Sequence, residues 1–290
     1  SRETLIGVLM NLYIWFDTPG GVAHAVDGVS FDLDRGQTLG IVGESGSGKS
    51  VLSRSIIDIL AKDGSVLKKG QIIFEGRDLM ALSEKEMREI RGREISMVFQ
   101  NPMSSMNPVK MIGKQITEVL KKRLGMDRGS ARLRAIELIE SVGIPDPERQ
   151  LGRFPMNLSG GMRQRISIAI ALAAEPKLLI ADEPTTSLDV TIQAQILELL
   201  RRQQIERKMA LILVTHDLGV VANYADDIVV MYAGQIVESC ATGSLIRRPR
   251  MPYTKALMNS APLLSDPPHT RLSAIPGMPP DSLTVLPGCR

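Results

Sequence analysis

The sequence predicts an α/β fold with a parallel sheet covered on both faces, and three features carry that expectation. An apolar run from Thr38 to Val42 is followed by Gly43-Glu44-Ser45-Gly46-Ser47-Gly48-Lys49-Ser50 and then by a helical pattern from Val51 to Leu60, the order strand, glycine-rich turn, helix. In the second half a helix is expected from Gly160 to Ala174, a buried strand at Leu178 to Ala181, a helix over Thr191 to Lys208 and a strand at Leu211 to Thr215. Strands that alternate with helices pair in parallel and are covered by their own connections. Between these two parts lies a long helical stretch that reads as an insertion.

In chain order, short apolar stretches from Leu5 to Leu33 alternate with turn signals such as Thr18-Pro19-Gly20-Gly21, which suits a small antiparallel layer. Lys69 to Phe74 and Ile95 to Phe99 are further strands. Residues 111 to 143 show helical spacing at Ile112, Ile116, Val119 and Leu120, then at Leu133, Ile136, Leu138 and Ile139. A polar hinge from Asp127 to Ser130 divides them. Beyond Tyr232 the pattern weakens, and residues 262 to 290, rich in proline, are expected as an extended appendage. No tandem repeat marks a solenoid.

At 290 residues the chain suits one large domain, or a domain with an appendage, with a substantial core. The net charge of +3, without a long basic block, and an aromatic content of 3% argue against a nucleic-acid binder. Cys240 and Cys289 give neither a disulfide framework nor a spaced metal set, so a reducing cytoplasmic setting is expected. No apolar run approaches the roughly 20 residues of a membrane-spanning helix. The longest, Ile166 to Ala174, contains Ser167 and ends at Glu175-Pro176. The amino end shows no secretory pattern, and export is not expected.

The residue types in 43 to 51 point to a chemistry. Small residues let a loop wrap closely around a phosphate chain, so that the amides of Gly43, Glu44, Ser45, Gly46, Ser47 and Gly48 and the helix start at Lys49, Ser50 and Val51 face the anion. Lys49 can reach the β- and γ-phosphates and the Ser50 hydroxyl can hold Mg²⁺. A second motif, Leu178-Leu179-Ile180-Ala181-Asp182-Glu183, ends a strand in two acids. Asp182 is suited to bind Mg²⁺, directly or through water, and Glu183 to polarise the water that attacks a γ-phosphate. A third, Leu158-Ser159-Gly160-Gly161-Met162-Arg163-Gln164-Arg165, opens a helix with a capping serine and two glycines, a second helix end able to bind an anion.

With these motifs in this order, the chain resembles the ATP-binding cassette proteins, the third motif matching their signature sequence. The resemblance implies a P-loop NTPase core of the RecA-like type with a parallel sheet, an antiparallel β layer at the N-terminus, a helical subdomain insertion and a C-terminal extension. It places the cassette at 1–235, with the core at 1–100 and 176–235 and the helical subdomain at 101–175, and the extension at 236–290. It implies ATP and Mg²⁺ as ligands. Gln100 resembles the glutamine that touches Mg²⁺ and the attacking water, Ser187-Leu188-Asp189 the loop that crosses the dimer interface, and His216 the histidine that contacts the γ-phosphate. Phe16 resembles the aromatic that stacks on adenine. Trp15 and Tyr13 compete for that part, and a strand aromatic packed in a core fits Phe16 equally.

Asn101 to Pro108, Thr191 to Leu197, Met231 to Gly234, Pro252-Tyr253-Thr254-Lys255-Ala256-Leu257 and Pro287-Gly288-Cys289 are similar to the ATPase subunits of dipeptide and oligopeptide importers. Nickel and glutathione importers read alike, and a soluble cassette ATPase is the more distant alternative. The resemblance implies a second ATPase subunit, with a heterodimer favoured, two transmembrane permease subunits, an extracytoplasmic solute-binding protein, and a peripheral place on the cytoplasmic face of the membrane. Met156 and Met251 stand where many relatives have histidine. Some members hold an iron–sulfur cluster near the residue matching Cys289. Such a cluster takes about four thiolates, so here it requires a cysteine-rich tail continuing beyond Cys289.

Overall fold

In a computed structural model, which describes residues 5–186, 188–260, 275, 277 and 280–283, the chain divides into two compact units. One comprises residues 1–82 and 212–290, the other residues 83–211.

The first unit begins with β1 (Leu5–Thr18) and β2 (Gly21–Asp34), two long antiparallel strands joined at the Pro19-Gly20 turn. The Thr18 hydroxyl donates to the Gly21 carbonyl at 2.7 Å and closes that turn. Alternation sets the register, because Leu12, Ile14, Val26 and Val29 are fully buried on one face. β3 (Thr38–Val42) is buried at every position, as suits a strand covered on both faces. It runs into α1 (Lys49–Ile56). The helix begins before the expected Val51, since Gly48 already caps it in the left-handed region, and ends before Leu60, where Asp58 turns to φ 50°. β4 (Val66–Phe74) and the short β5 (Arg77–Asp78) complete an antiparallel sheet in the order β2-β1-β4-β5.

The second unit opens with α2 (Glu84–Ile90), started by a capping box in which Ser83 and Glu86 exchange hydrogen bonds. β6 (Ile95–Val98) follows. The helical stretch resolves into α3 (Ile112–Leu124) and α4 (Arg128–Ser141), parted at the expected hinge, where Asp127 accepts from the Gly129 and Ser130 amides. Ile112, Ile116 and Leu120 of α3 are fully buried, as are Ala131, Ala135 and Ile139 of α4, and the two helices pack on each other. Small residues on α4 opposite branched ones on α3 allow the close approach. Then come α5 (Pro147–Leu151), α6 (Gly160–Leu172), β7 (Leu178–Asp182) and α7 (Val190–Arg207). β6 and β7 pair in parallel, Ile95 opposite Leu178.

β8 (Ala210–Thr215) carries the chain back into the first unit. There follow α8 (Leu218–Val221), β9 (Asp227–Tyr232), β10 (Gln235–Ala241), α9 (Thr242–Arg247) and α10 (Pro252–Ser260). β3 and β9 are parallel, Leu39 opposite Asp227, and β9 and β10 form an antiparallel hairpin. The strand order runs β10-β9-β3 within the first unit, and β7 and β6 are neighbours within the second. The weak pattern beyond Tyr232 therefore conceals a strand and two helices, whose apolar residues are sparse because few of them, such as Leu245 and Leu257, reach the core. The expected appendage over residues 262 to 290 lies almost entirely outside the described residues. Ser282 is an exception, its carbonyl accepting the His24 amide at 2.9 Å.

Truncating a fully buried α3 side chain removes packing that α4 cannot replace. Ile116→Ala is expected to destabilise the second unit by about 2–5 kcal/mol, read as a lowered urea midpoint by circular dichroism. An unchanged midpoint would contradict the packing described here.

Candidate functional site

In the first unit, residues 43–48 connect a fully buried strand to a helix and are pressed against backbone on two sides. Gly43 has φ 153°, and a Cβ there would lie 2.2 Å from the Met231 carbonyl oxygen. Gly48 has φ 98°, and its Cβ would meet the Ala25 carbonyl oxygen at 2.1 Å. No side chain fits either place. The turn between β9 and β10 adds a hydrogen bond, the Gly234 amide donating to the Ser47 carbonyl at 3.1 Å. The loop is thus shaped from outside, and its curvature does not depend on a ligand.

Lys49 is 4% exposed. Its Nζ donates to the Gly43 and Glu44 carbonyls, each at 2.7 Å, and to Ser47 Oγ at 3.3 Å. A buried ammonium inside a ring of loop backbone, at the start of a helix, is an electropositive cradle for a polyanion. Ser45, Gly46, Ser50 and Val51 lie in the same loop and first helical turn. His216 stands exposed just past β8, beside Thr215, whose hydroxyl accepts the Asp217 amide at 3.1 Å. Asp217 in turn caps α8. Phe16 is half-buried near the end of β1, opposite Ala23 and Val66. Its two competitors are engaged elsewhere: the Trp15 ring lies 5.6 Å from Tyr13 and 4.7 Å from His24, with Lys69 Nζ 5.5 Å from its centre.

In the second unit, Asp182 ends β7 and is 1% exposed. Glu183 follows with φ 46°, a left-handed conformation that costs energy for a side chain of this kind and is doubly constrained by the proline after it. Such strain concentrates where a side chain must be aimed. Glu183 Oε2 accepts from Gln100 Nε2 at 3.0 Å and from the Thr186 hydroxyl at 2.8 Å. The structure therefore brings together Gln100 and Glu183, and adds Thr186, which sequence reasoning passed over. The signal for Thr186 was a hydroxyl three residues after the acid, too common to be singled out.

Ser159 caps α6, its Oγ accepting the Met162 amide at 3.3 Å, and Gly160 and Gly161 form an exposed to half-exposed first turn. The leading amides of a helix have no partner within it, so this end can meet an anion brought by another molecule. Asp189 caps α7 through the Ile192 amide at 2.9 Å, a structural duty besides any interfacial one. Ser187 lies outside the described residues. A further group, Gln115, was also missed: its side chain accepts the Asn107 amide at 2.8 Å and donates to the Asn107 and Lys110 carbonyls at 3.1 and 2.7 Å. It braces the loop after Gln100 and presents Val109, 79% exposed, at the surface.

Ser50, Gln100 and Asp182 are hard oxygen donors, the kind that suits Mg²⁺. Cys240, a free thiol, offers one of the roughly four thiolates an iron–sulfur cluster takes. Cys289 lies outside the described residues, and among the described ones no group of three or more His, Cys, Asp and Glu could hold a metal.

Residues 26–186 match the ABC transporter family, and residues 237–290 match the oligopeptide/dipeptide transporter C-terminal region. The chain is 55% identical over 280 residues to the oligopeptide transport ATP-binding protein OppD of Bacillus subtilis, covering 97% of this chain and 78% of that protein. It is 50% identical over 281 residues to the dipeptide transport ATP-binding protein DppD of the same organism, covering 97% and 84%. Among solved structures it is similar to the dimeric, post-hydrolysis ATP-binding cassette MJ0796 bound to ADP and Pi, with a TM-score of 0.73, 26% identity, and 82% and 99% of the two chains covered.

Gly48→Ala puts a methyl group into the Ala25 carbonyl and a strained φ into the loop. It is expected to weaken binding of a fluorescent ATP analogue by more than about tenfold. Retained affinity would show that the loop does not hold the nucleotide.

Proposed function

This chain belongs to the ABC transporter family and is an ATPase of it, and from that premise we propose how its residues work and what they drive. Hydrolysis by the chain powers uptake of di- or oligopeptides across a membrane. The observation that carries this reading is the joining, in one chain, of a complete phosphate loop to a C-terminal region of the oligopeptide/dipeptide type. The same conjunction favours peptides over nickel or glutathione as cargo and supports a cassette at 1–235 followed by an extension at 236–290.

In this reading the loop and helix start of residues 43–51, with Lys49, hold the triphosphate, and Phe16 stacks on the adenine. Ser50, Asp182 and Gln100 would hold Mg²⁺, which supplies charge neutralisation to the phosphates. Glu183 polarises the attacking water, and Gln100 and Thr186 keep its carboxylate aimed. His216 steadies the γ-phosphate. Positioned groups of this kind lower the barrier because they require no reorganisation when charge develops.

The Ser159 to Met162 helix end is set to receive the γ-phosphate of a nucleotide held by another cassette, which makes the working unit a head-to-tail pair with Asp189 at the seam. We favour a related but distinct ATPase subunit as the partner. Two membrane permease subunits and an extracytoplasmic solute-binding protein complete the assembly, and the chain sits peripherally on the cytoplasmic face. Contact with a permease falls to the region from Gln100 to Pro108, which Gln115 braces, and to the helical stretch after it. No helix among the described residues is long and apolar enough to cross a membrane.

The test is ATP turnover by the native membrane complex, with its binding protein empty or loaded with a mixed peptide pool. Loaded protein is expected to stimulate turnover, and Glu183→Gln to reduce it by at least about a hundredfold while nucleotide still binds. Absence of stimulation by peptides would contradict peptide import and move the search to metal or glutathione cargo.

A further inference from the structure

The C-terminal region meets the phosphate loop at one defined atom pair. Helix α10 is anchored at its start, where Glu238 of β10 accepts the Arg250 and Met251 amides at 2.8 and 3.1 Å. Thr254 is fully buried and Leu257 nearly so, and α10 packs on α8. This seating lays the Tyr253 ring against Tyr232, with centroids 4.6 Å apart and planes inclined by 48°. The Glu44 amide then donates to the Tyr253 hydroxyl oxygen at 2.9 Å. The two residues are 209 positions apart in sequence. Burial outweighs the hydrogen bond from the Glu44 amide and pushes the tyrosine hydroxyl up to about 12, so it stays protonated and brings no negative charge to an anion site.

We propose that Tyr253 is a positioning residue for ATP binding: by holding the Glu44 amide it fixes the first turn of the phosphate loop, and through it the C-terminal region sets the affinity of the chain for ATP. The proposal rests on reading residues 43–51 as the ATP site. The peptide joining Gly43 to Glu44 is held at both ends, its amide by Tyr253 and its carbonyl by Lys49. When the Lys49 ammonium turns toward a phosphate chain it gives up the carbonyl, and the tyrosine then becomes the tie that keeps this peptide in place. It also occupies the Glu44 amide, so that amide is not among those that meet the anion. A loop ordered before binding has less freedom to lose on binding. Tyr253 acts through a loop amide and not through Glu183 or its donors, so its effect belongs to binding, equal in ground and transition states.

Tyr253→Phe in the complete transporter complex separates the hydroxyl from the ring, which still stacks on Tyr232. Loss of one hydrogen bond predicts a KM for ATP raised about three- to tenfold with kcat within about twofold of wild type. Hydrogen exchange is expected to quicken over residues 43–47 and to stay unchanged over α10. An unchanged KM, a fall in kcat at constant KM, or faster exchange across α10 as well as the loop would each overturn the proposal, the last by assigning the effect to lost packing. A wild-type complex that neither binds nor hydrolyses ATP would instead overturn the underlying reading of the loop, a result distinguishable before any variant is made.

Discussion

The close approach of backbone to backbone around the phosphate loop is the constraint on which the rest of the first unit depends. The Met231 and Ala25 carbonyls occupy the places where side chains of residues 43 and 48 would stand, and they come from β9 and β2, strands distant in sequence. β9 must therefore lie beside β3 in parallel, and β2 must be registered so that Ala25 faces the loop. The hairpin turn at Gly234 locks both, donating to the Ser47 carbonyl and accepting the Asp27 amide at 2.8 Å. Burial of Lys49 follows. A charge removed from water is tolerable only where backbone dipoles surround it, and the Gly43 and Glu44 carbonyls supply them.

The second unit solves a different problem, that of aiming a carboxylate. Glu183 departs from the fully buried β7 in a left-handed conformation before a proline, and two donors hold its oxygen. The strain is offset by the strand, whose five residues are all buried, so the acid cannot relax by shifting the backbone that carries it. Strain, donors and buried strand together give a side chain of defined direction, which is what polarising a single water requires.

Much of this was legible in the sequence because local physics dictated it. Ser159 caps a helix that starts at Gly160 as expected, and α7 starts one residue before the expected Thr191, while the run Leu178 to Ala181 could bury itself only as a strand between covering helices. α1 shifted toward the loop because a left-handed glycine served as its cap where a polar side chain is usual. What remained hidden depended on meetings between distant residues. Nothing near Glu44 announces Tyr253, and nothing near Asn107 announces that Gln115 will bind its peptide on both sides. The surroundings of Trp15 were likewise hidden, since only pairing with β2 and β4 brings His24 and Lys69 to its ring.

The central claim is that ATP hydrolysis at these residues moves peptide. It is tested most directly by uptake of a labelled peptide into proteoliposomes that contain the whole transporter, with peptide-loaded binding protein outside and nucleotide sealed inside. The account predicts accumulation with ATP and Mg²⁺ and none with a non-hydrolysable ATP analogue. Equal accumulation with the analogue, or with no nucleotide, would contradict it.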